Sequence, residues 1–262
     1  HVLYDLHKKV NADLKTANKN NTTIARSTGT IGIAVMLSRI LGLIREQVFA
    51  GLFGAGTAND AFVVAFRVPN LLRDLFGEGA LSAAFVTVFS DYDQNKSREE
   101  TWRLASVVLF FFACTLSLIT LVAIYYSEAI VSILAPEFAM IAGKQDLTIL
   151  LTKIMMPFML LVSLSAVVMG ILNTKNRFFV PALASSFFNI GCIIGGVALA
   201  LTLPQYDIPA IVGMAIGTLI GGVLQLGAQL PSLFKCGFRF SLQFNFPSGF
   251  LVLLLALPHF LC

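Results

Sequence analysis

Nine charged side chains lie within or at the ends of long apolar stretches of this sequence. They are Arg39, Arg45, Glu46, Asp60, Arg67, Arg73, Asp74, Glu78 and Lys153. A charge at the centre of a bilayer costs at least about 2.5–3.5 kcal/mol, so a set of this size must face a water-filled cavity or a protein partner. The pattern therefore predicts a polar interior within a membrane protein.

The spacing of these charges predicts that two neighbouring helices share that interior. Arg39 and Glu46 are seven residues apart, as are Asp60, Arg67 and Asp74, which places each set on nearly one helix face. Arginine suits phosphate, because its planar fork binds oxyanions through paired hydrogen bonds and keeps its charge when partly desolvated. Such a cavity predicts an anionic substrate. Each charge taken singly fits equally well a structural ion pair near a membrane interface.

Composition places the chain among integral membrane proteins. Hydrophobic residues make up 57% and charged residues 12% of the 262 positions, and the mean hydropathy is +0.83. Soluble domains average roughly 45–50% apolar and about 25% charged residues. The apolar residues come in blocks of about 20, the length that an α-helix needs to cross the hydrocarbon, and they do not alternate as in a membrane β-barrel.

The sequence predicts six membrane-spanning helices and the start of a seventh near residue 248. The six are expected at about 29–53, 59–90, 104–126, 147–173, 178–203 and 209–233. Pro69 should bend the long second helix, because proline removes a backbone hydrogen bond and clashes with the preceding turn.

Rows of small residues predict close helix packing by the fifth and the sixth of these helices. Gly191 and Gly195 lie on the fifth helix, and Gly213, Gly217 and Gly221 lie on the sixth, at a spacing of four residues. This spacing is typical of helix pairs whose backbones approach closely within a membrane.

The distribution of Lys and Arg over the connecting segments predicts the topology. Twelve lie on one side: Lys8, Lys9, Lys15, Lys19, Arg26, Lys96, Arg98, Arg103, Lys175, Arg177, Lys235 and Arg239. The opposite connections contain only Lys144. The positive-inside rule then places the amino terminus and the segments 91–103, 174–177 and 234–247 in the cytoplasm. Nucleic acid is not an expected partner, because these charges are scattered over four separate segments.

Neither a metal site nor a cofactor is predicted. The four cysteines, Cys114, Cys192, Cys236 and Cys262, have no metal-type or CxxC spacing and are interpreted as small apolar residues. A membrane enzyme acting on polyprenyl phosphates is disfavoured, because no Asp-rich motif and no sizeable cytoplasmic loop is present. No catalytic residue is therefore expected.

One long stretch resembles a known family. The segment "SRILGLIREQVFAGLFGAGTANDAFVVAFRVPNLLRDLFGEGALSAAFVTVFSDY", with "ILNTKNRFFVPALASSFFNI" and "GGVLQLGAQLPSL", is similar to the MurJ (MviN) lipid II flippases of the multidrug/oligosaccharidyl-lipid/polysaccharide exporter superfamily. The resemblance covers about residues 28–246. It implies an all-α, polytopic membrane helix bundle, namely the amino-terminal six-helix lobe and the start of the seventh helix of a fourteen-helix fold.

The resemblance also implies a function and a set of site residues. Such flippases move lipid II, the undecaprenyl-pyrophosphate-linked peptidoglycan precursor, from the inner to the outer leaflet of the bacterial inner membrane by alternating access. Arg39, Arg45, Asn70 and Arg73 match substrate-binding positions, Glu46, Asp60 and Glu78 match gate or ion-pair positions, and Pro69 is the helix kink. Asp74 stands where relatives can carry a basic residue.

Three segments are expected: a polar cytoplasmic leader at 1–28, the transmembrane lobe at 29–246, and the start of a truncated seventh helix at 247–262. Lipid II, membrane lipids and the missing carboxy-terminal lobe are the expected partners. The chain alone is not expected to complete alternating access, since rocking two lobes requires both. Alternative functions are export of another polyprenyl-linked glycan, such as an O-antigen lipid, or drug antiport, and the arginines argue against cationic drugs.

Overall fold

The computed structural model describes residues 29–74 and 80–241, and these residues form an all-helical bundle without strands. The helices are α1 (29–53), α2 (Thr57–Arg73), α3 (Ala80–Asn95), α4 (Arg98–Tyr125), α5 (Ser127–Leu134), α6 (Lys144–Thr174), α7 (Phe179–Thr202) and α8 (Ala210–Lys235). Short 3-10 turns at Pro136–Met140 and Leu203–Tyr206 follow α5 and α7. The prediction of an all-α membrane helix bundle is confirmed.

Four of the described helices are long and apolar enough to cross a membrane. They are α4, α6, α7 with its 3-10 extension to Tyr206, and α8, with mean hydropathies of 2.7, 2.3, 1.9 and 1.8 over their most apolar stretches. Helix α1 has the length but carries Arg39, Arg45 and Glu46 near its centre. Helix α2 has only 17 residues. Because α1 and α2 carry charges near their centres, they are the helices that most need protein neighbours.

The region predicted as one span at 59–90 is described as two helices, α2 and α3. Pro69 lies inside α2, is buried, and does not end the helix, which continues to Arg73. Residues 75–79, between the two helices, lie outside the described residues, as do the predicted leader at 1–28 and the predicted start of a seventh helix.

Helix α6 is the central element of the bundle. Its sequence is apolar around its whole circumference, and it contacts α2, α3, α4, α5 and α8. Met155, Met159 and Ile171 on α6 are each fully buried. Because a helix that is hydrophobic all round belongs in a core, the position of α6 follows from its composition.

Helix α2 has two different faces. Ala61, Ala65 and Pro69 are spaced by four residues, are buried, and belong to the face that packs against α6. Small side chains let the two backbones approach closely. The opposite face carries aromatic and polar residues and is available to line a site.

Helices α7 and α8 pack through their glycines, as the small-residue rows predict. A Cβ atom added at Gly217 would lie 2.5 Å from the Cα of Gly196, and one at Gly213 would lie 2.3 Å from the backbone nitrogen of Ala200. Both distances are shorter than any real Cβ contact. The prediction of close packing at these glycines is therefore confirmed, and the structure shows that α7 and α8 pack on each other.

An ion pair joins the start of α2 to the start of α6. The Nζ of Lys144 lies 2.8 Å from Oδ2 of Asp60 and 4.0 Å from the ring centroid of Phe138. The Lys144 side chain is 6% exposed, whereas that of Asp60 is 56% exposed. Lys144 is the first residue of α6, where the helix dipole disfavours a cation, so the Asp60 carboxylate offsets both the burial and the dipole.

Replacing Gly217 with alanine should destabilise the bundle, because its methyl group would push against the backbone of Gly196. Overpacking of this kind typically lowers the free energy of unfolding by about 1–3 kcal/mol. Gly227→Ala is the matched control on the same helix, since nothing lies within 4 Å of its added Cβ. Thermal unfolding in detergent should show a loss for Gly217→Ala and none for Gly227→Ala. Equal effects of the two substitutions would contradict the α7–α8 packing.

Asp60→Asn should destabilise the protein more than the double substitution Asp60→Asn with Lys144→Met. The single variant leaves a buried ammonium without its counter-charge, which costs about 1–3 kcal/mol, whereas the double variant removes the buried charge as well. Thermal unfolding of the two single variants and the double variant measures the coupling. Purely additive effects would show that the ion pair does not fix α2 to α6.

Candidate functional site

A cavity of about 490 Å³ lies among α1, α2, α7 and α8. Its polar lining comprises Arg45, Glu46, Asn59, Arg67, Asn70 and Thr218. Its apolar lining comprises Phe49, Phe62, Val63, Phe66, Phe188, Cys192 and Met214. Aromatic walls with a few convergent polar groups are typical of binding sites for ligands that are partly polar.

Helix α2 contributes one continuous face to this cavity. Asn59, Phe62, Phe66 and Asn70 recur at intervals of three and four residues, and Arg67 lies beside them. The opposite face of the same helix packs on α6, which fixes the rotation of α2. The core contact thus determines which polar groups of α2 enter the cavity.

Arg45 is held at the α1 side of the cavity by two contacts. Its Nη2 lies 3.6 Å from Oε1 of Glu46, and its guanidinium carbon lies 5.4 Å from the ring centroid of Phe188 on α7. The second distance is within the range of a cation–π contact. The Arg45 side chain is 29% exposed, so it is anchored but keeps hydrogen-bond donors for a ligand.

The position of α1 against α7 depends on a polar contact as well. The side-chain Nδ2 of Asn189 donates to the backbone oxygen of Ser38 at 3.1 Å, and a Cβ atom at Gly42 would lie 3.6 Å from that Nδ2. Asn189 thus lies in ordinary van der Waals contact with this part of α1. Arg45 lies two turns beyond Ser38 on α1, and Phe188 is the neighbour of Asn189 on α7, so the same helix contact brings Arg45 and Phe188 together.

The charged groups that line the cavity carry a net positive charge. Arg45 and Arg67 face a single carboxylate, that of Glu46. The rings of Phe49, Phe62 and Phe188 line the same cavity, and the Arg45 side chain is 29% exposed. The attraction between an anion and a partly buried charge is stronger than that in bulk water. The arrangement can therefore hold an anionic group against apolar rings.

The structure brings together three of the predicted site residues and separates the others. Arg45, Glu46 and Asn70 line the cavity, whereas Arg39 is exposed on α1 and does not line it. Arg73 pairs with Asp74, with Nη2 2.6 Å from Oδ1. Asp60 pairs with Lys144, as described above. Glu78 lies outside the described residues.

Seven-residue spacing predicted Arg67 on the face of α2 that lines the polar interior, and Arg67 does line the cavity, although no substrate or gate role was assigned to it. Asn59 and the ion-pair partner Lys144 were not predicted. Asn59 shares the face of α2 that carries Asn70, so helical spacing could have identified it. The sequence gives a weaker indication that Lys144 has a structural or functional role. It is the only basic residue in the connections opposite the basic side, and its pairing with Asp60 is visible only in three dimensions.

Within residues 29–74 and 80–241, no group of three His, Cys, Asp or Glu side chains is placed to hold a metal ion. The candidate ligand-binding groups of the cavity are thus its arginines, its glutamate and its amides.

Comparison with known proteins identifies the family. The family model described as "Lipid II flippase MurJ" matches residues 49–259. A probable lipid II flippase MurJ of Buchnera aphidicola subsp. Schizaphis graminum is 37% identical over 212 residues, which cover 81% of this chain and 40% of the relative. The lipid II flippase MurJ of Burkholderia cenocepacia is 35% identical over 80% of this chain and 40% of its own length.

A solved structure shares the fold as well. The chain matches a structure titled "Lipid II flippase MurJ, inward closed conformation" with a TM-score of 0.66 and 32% identity, over 88% of this chain and 45% of that one. The chain thus spans about 40% of the length of the curated relatives that it matches. It belongs to the lipid II flippase MurJ family, and with its several apolar helices it is a multi-pass protein of the bacterial inner membrane.

Proposed function

We propose that this chain forms the amino-terminal lobe of a flippase that moves lipid II from the inner to the outer leaflet for cell-wall synthesis. The observation that carries this proposal is the pair Arg45 and Arg67 in an aromatic-walled cavity, on helices that belong to a lipid II flippase family. Two relatives carry this activity in their names.

The chemistry of the cavity suits a pyrophosphate-linked lipid. A pyrophosphate offers several anionic oxygens, and each arginine can bind two of them with paired hydrogen bonds. The rings of Phe49, Phe62 and Phe188 line the same cavity and offer an apolar surface to the parts of the ligand beside the pyrophosphate. Asn59 and Asn70 add neutral donors and acceptors for the sugar-bearing part of the headgroup.

Glu46 fits the role of a competing anion or gate. Its carboxylate lies 3.6 Å from Arg45, and its side chain is 69% exposed, so it can move away without leaving a buried charge behind. An anionic headgroup that reaches Arg45 would displace Glu46. A gate of this kind exchanges one charged pair for another and avoids an unpaired arginine at any stage.

The remaining predicted residues belong to the part of the site that this chain does not enclose alone. Arg39 is exposed on α1, and Arg73 lies near the end of α2 paired with Asp74. The carboxy-terminal lobe of such a flippase would cover this face and close the cavity. Alternating access then follows from rocking one lobe against the other around a fixed site.

The distribution of basic residues supports an orientation with the amino terminus in the cytoplasm. The α3–α4, α6–α7 and α8 ends carry the Lys and Arg residues, whereas the connection between α5 and α6 carries only Lys144. In this orientation the Asp60–Lys144 pair lies at the outer side of the membrane.

Arg45→Ala should abolish flippase function, and Arg45→Lys should retain part of it. A suitable protein is a chimera that joins residues 29–241 of this chain to the remaining portion of the Burkholderia cenocepacia relative. Rescue of a bacterium depleted of its own lipid II flippase is the measurement. Loss of a charge-assisted hydrogen bond, worth about 1.5–3 kcal/mol, should weaken headgroup binding roughly ten- to a hundredfold.

Lys96→Gln is the matched control, because it removes one positive charge from the turn between α3 and α4, far from the cavity lining. The parent chimera and the Lys96→Gln chimera should both rescue growth. Full rescue by Arg45→Ala would contradict the phosphate-binding role of Arg45, and failure of the parent chimera to rescue while it accumulates in the membrane would contradict the proposed cargo.

The orientation predicts opposite labelling of two single cysteines in a background without the four native ones. A membrane-impermeant maleimide should label Met140→Cys in intact cells, because Met140 is 89% exposed in the α5–α6 connection. It should label Lys96→Cys only after the inner membrane is disrupted. Labelling of Lys96→Cys in intact cells would invert the orientation.

A further inference from the structure

We propose that a second site, at the end of the bundle where α4 begins and α8 ends, binds the phosphate of an anionic membrane lipid. This site is separate from the cavity described above and does not depend on the flippase function. It is a pocket of about 570 Å³ lined by Arg98, Glu99, Trp102, Arg103, Arg239 and Ser241.

The three arginines are brought together by contacts between α4 and the segment that follows α8. The Nη2 of Arg98 donates to the backbone oxygen of Cys236 at 3.2 Å. Phe238 packs edge-on against Trp102 with ring centroids 5.7 Å apart. The backbone nitrogen of Ser241 donates to Oγ of Ser106 at 3.2 Å. These contacts on both sides of Arg239 fix it opposite α4.

The backbone of this segment is shaped to admit Arg98. Gly237 has φ = +90°, and a Cβ atom there would lie 1.8 Å from Nη2 of Arg98. A residue other than glycine would therefore be strained and would also displace the arginine. The turn at Gly237 therefore helps to determine the shape of the pocket and the position of Arg98 within it.

The positive charges of the pocket are not neutralised within the described part of the chain. Arg98, Arg103 and Arg239 form no ion pair with any carboxylate of residues 29–74 and 80–241. Glu99 is the single acid in the lining. The nearest other ion pair, Lys175 with Asp93, is already matched, and its ammonium lies 5.0 Å from the Trp102 ring centroid. The lining therefore has an excess of two positive charges.

Two buried N–H groups at the pocket have no partner. Trp102 is 5% exposed, and its Nε1 has no hydrogen-bond acceptor. The Nε of Arg103 is likewise buried and unsatisfied. Leaving a buried donor unpaired costs about 1–3 kcal/mol each, so a side-chain adjustment that opens either group to an acceptor bound in the pocket is favoured. A phosphate oxygen is an acceptor that also matches the charge of the arginines.

The position of the pocket favours a lipid headgroup as the source of that phosphate. It lies at the first turns of α4, which then continues as the most apolar of the described helices. Phosphate groups of lipids lie at this depth, where the hydrocarbon ends, and basic pockets at the ends of membrane helices bind anionic headgroups.

Trp102 provides a direct test, because it is the single tryptophan of the chain. The full chain is placed in phosphatidylcholine nanodiscs, and the mole fraction of phosphatidylglycerol is increased while Trp102 emission is recorded. The emission should change saturably, since an anion bound in the pocket changes the electrostatic field at the Trp102 indole, which lines it. The half-saturating fraction should rise about tenfold for Arg239→Gln, as expected when one charge-assisted contact is lost. Higher salt should weaken the response.

Lys235→Gln is the matched control, since it removes a positive charge from the last turn of α8 without lining the pocket. Arg239 is exposed and follows the helix, so its replacement leaves the core intact. An unchanged emission with phosphatidylglycerol would overturn the proposal, as would equal effects of Arg239→Gln and Lys235→Gln. Inorganic phosphate added to phosphatidylcholine nanodiscs is the third arm, and an equal saturable response there would overturn the lipid as the ligand.

Discussion

The high cost of charge in hydrocarbon is the constraint on which the rest of this structure depends. Helices α1 and α2 carry arginines near their centres, so neither can face lipid on all sides. Each must present its charged face to protein. The structure meets this requirement with a cavity in which Arg45 and Arg67 lie among aromatic rings, and with an Asp60–Lys144 pair at the ends of two helices. The apolar helices α4, α6, α7 and α8 form the scaffold that makes such an interior possible.

The same constraint explains why α2 is the critical element of the site. Its small residues Ala61 and Ala65 pack on α6, and this contact turns Asn59, Arg67 and Asn70 toward the cavity. A bulkier residue on the packed face would rotate or displace the polar face. One face of α2 thus packs in the core, and the opposite face supplies the groups that can bind a ligand. The helical repeat of the sequence separates the two faces.

Local pattern was sufficient to predict the helical class and the α7–α8 contact from the sequence. The length of an apolar block sets the length of a helix, and the four-residue spacing of Gly213 and Gly217 determines which face can approach a neighbour. Neither inference needs knowledge of distant residues.

The contacts of Asp60, Arg67 and Asp74 did not follow from their spacing. Seven-residue spacing places them on nearly one face, yet Asp60 pairs with Lys144, Arg67 lines the cavity, and Asp74 pairs with Arg73.

The pairing of Asp60 was beyond sequence reasoning because its partner is determined by tertiary packing, whereas Asp74 pairs with its sequence neighbour Arg73. Lys144 lies 84 residues from Asp60, and only the placement of α6 against α2 brings the two together. Phe188 reaches Arg45 in the same way, through the Asn189 contact that holds α7 against α1. Periodicity gives the direction in which a side chain points, whereas the partner that it meets depends on the arrangement of the whole bundle.

The cavity joins elements that are held together in different ways. Helices α7 and α8 are locked by backbone contacts at their glycines, and α6 is buried by its neighbours. Helix α1 meets α7 through polar side chains, since Asn189 donates to the backbone oxygen of Ser38 and the Arg45 guanidinium lies over the Phe188 ring. The Arg45 and Glu46 side chains are 29% and 69% exposed, so these charges are not fully desolvated and can exchange one partner for another without leaving a buried, unpaired charge. A site that must bind and release an anion needs its charges in such a setting.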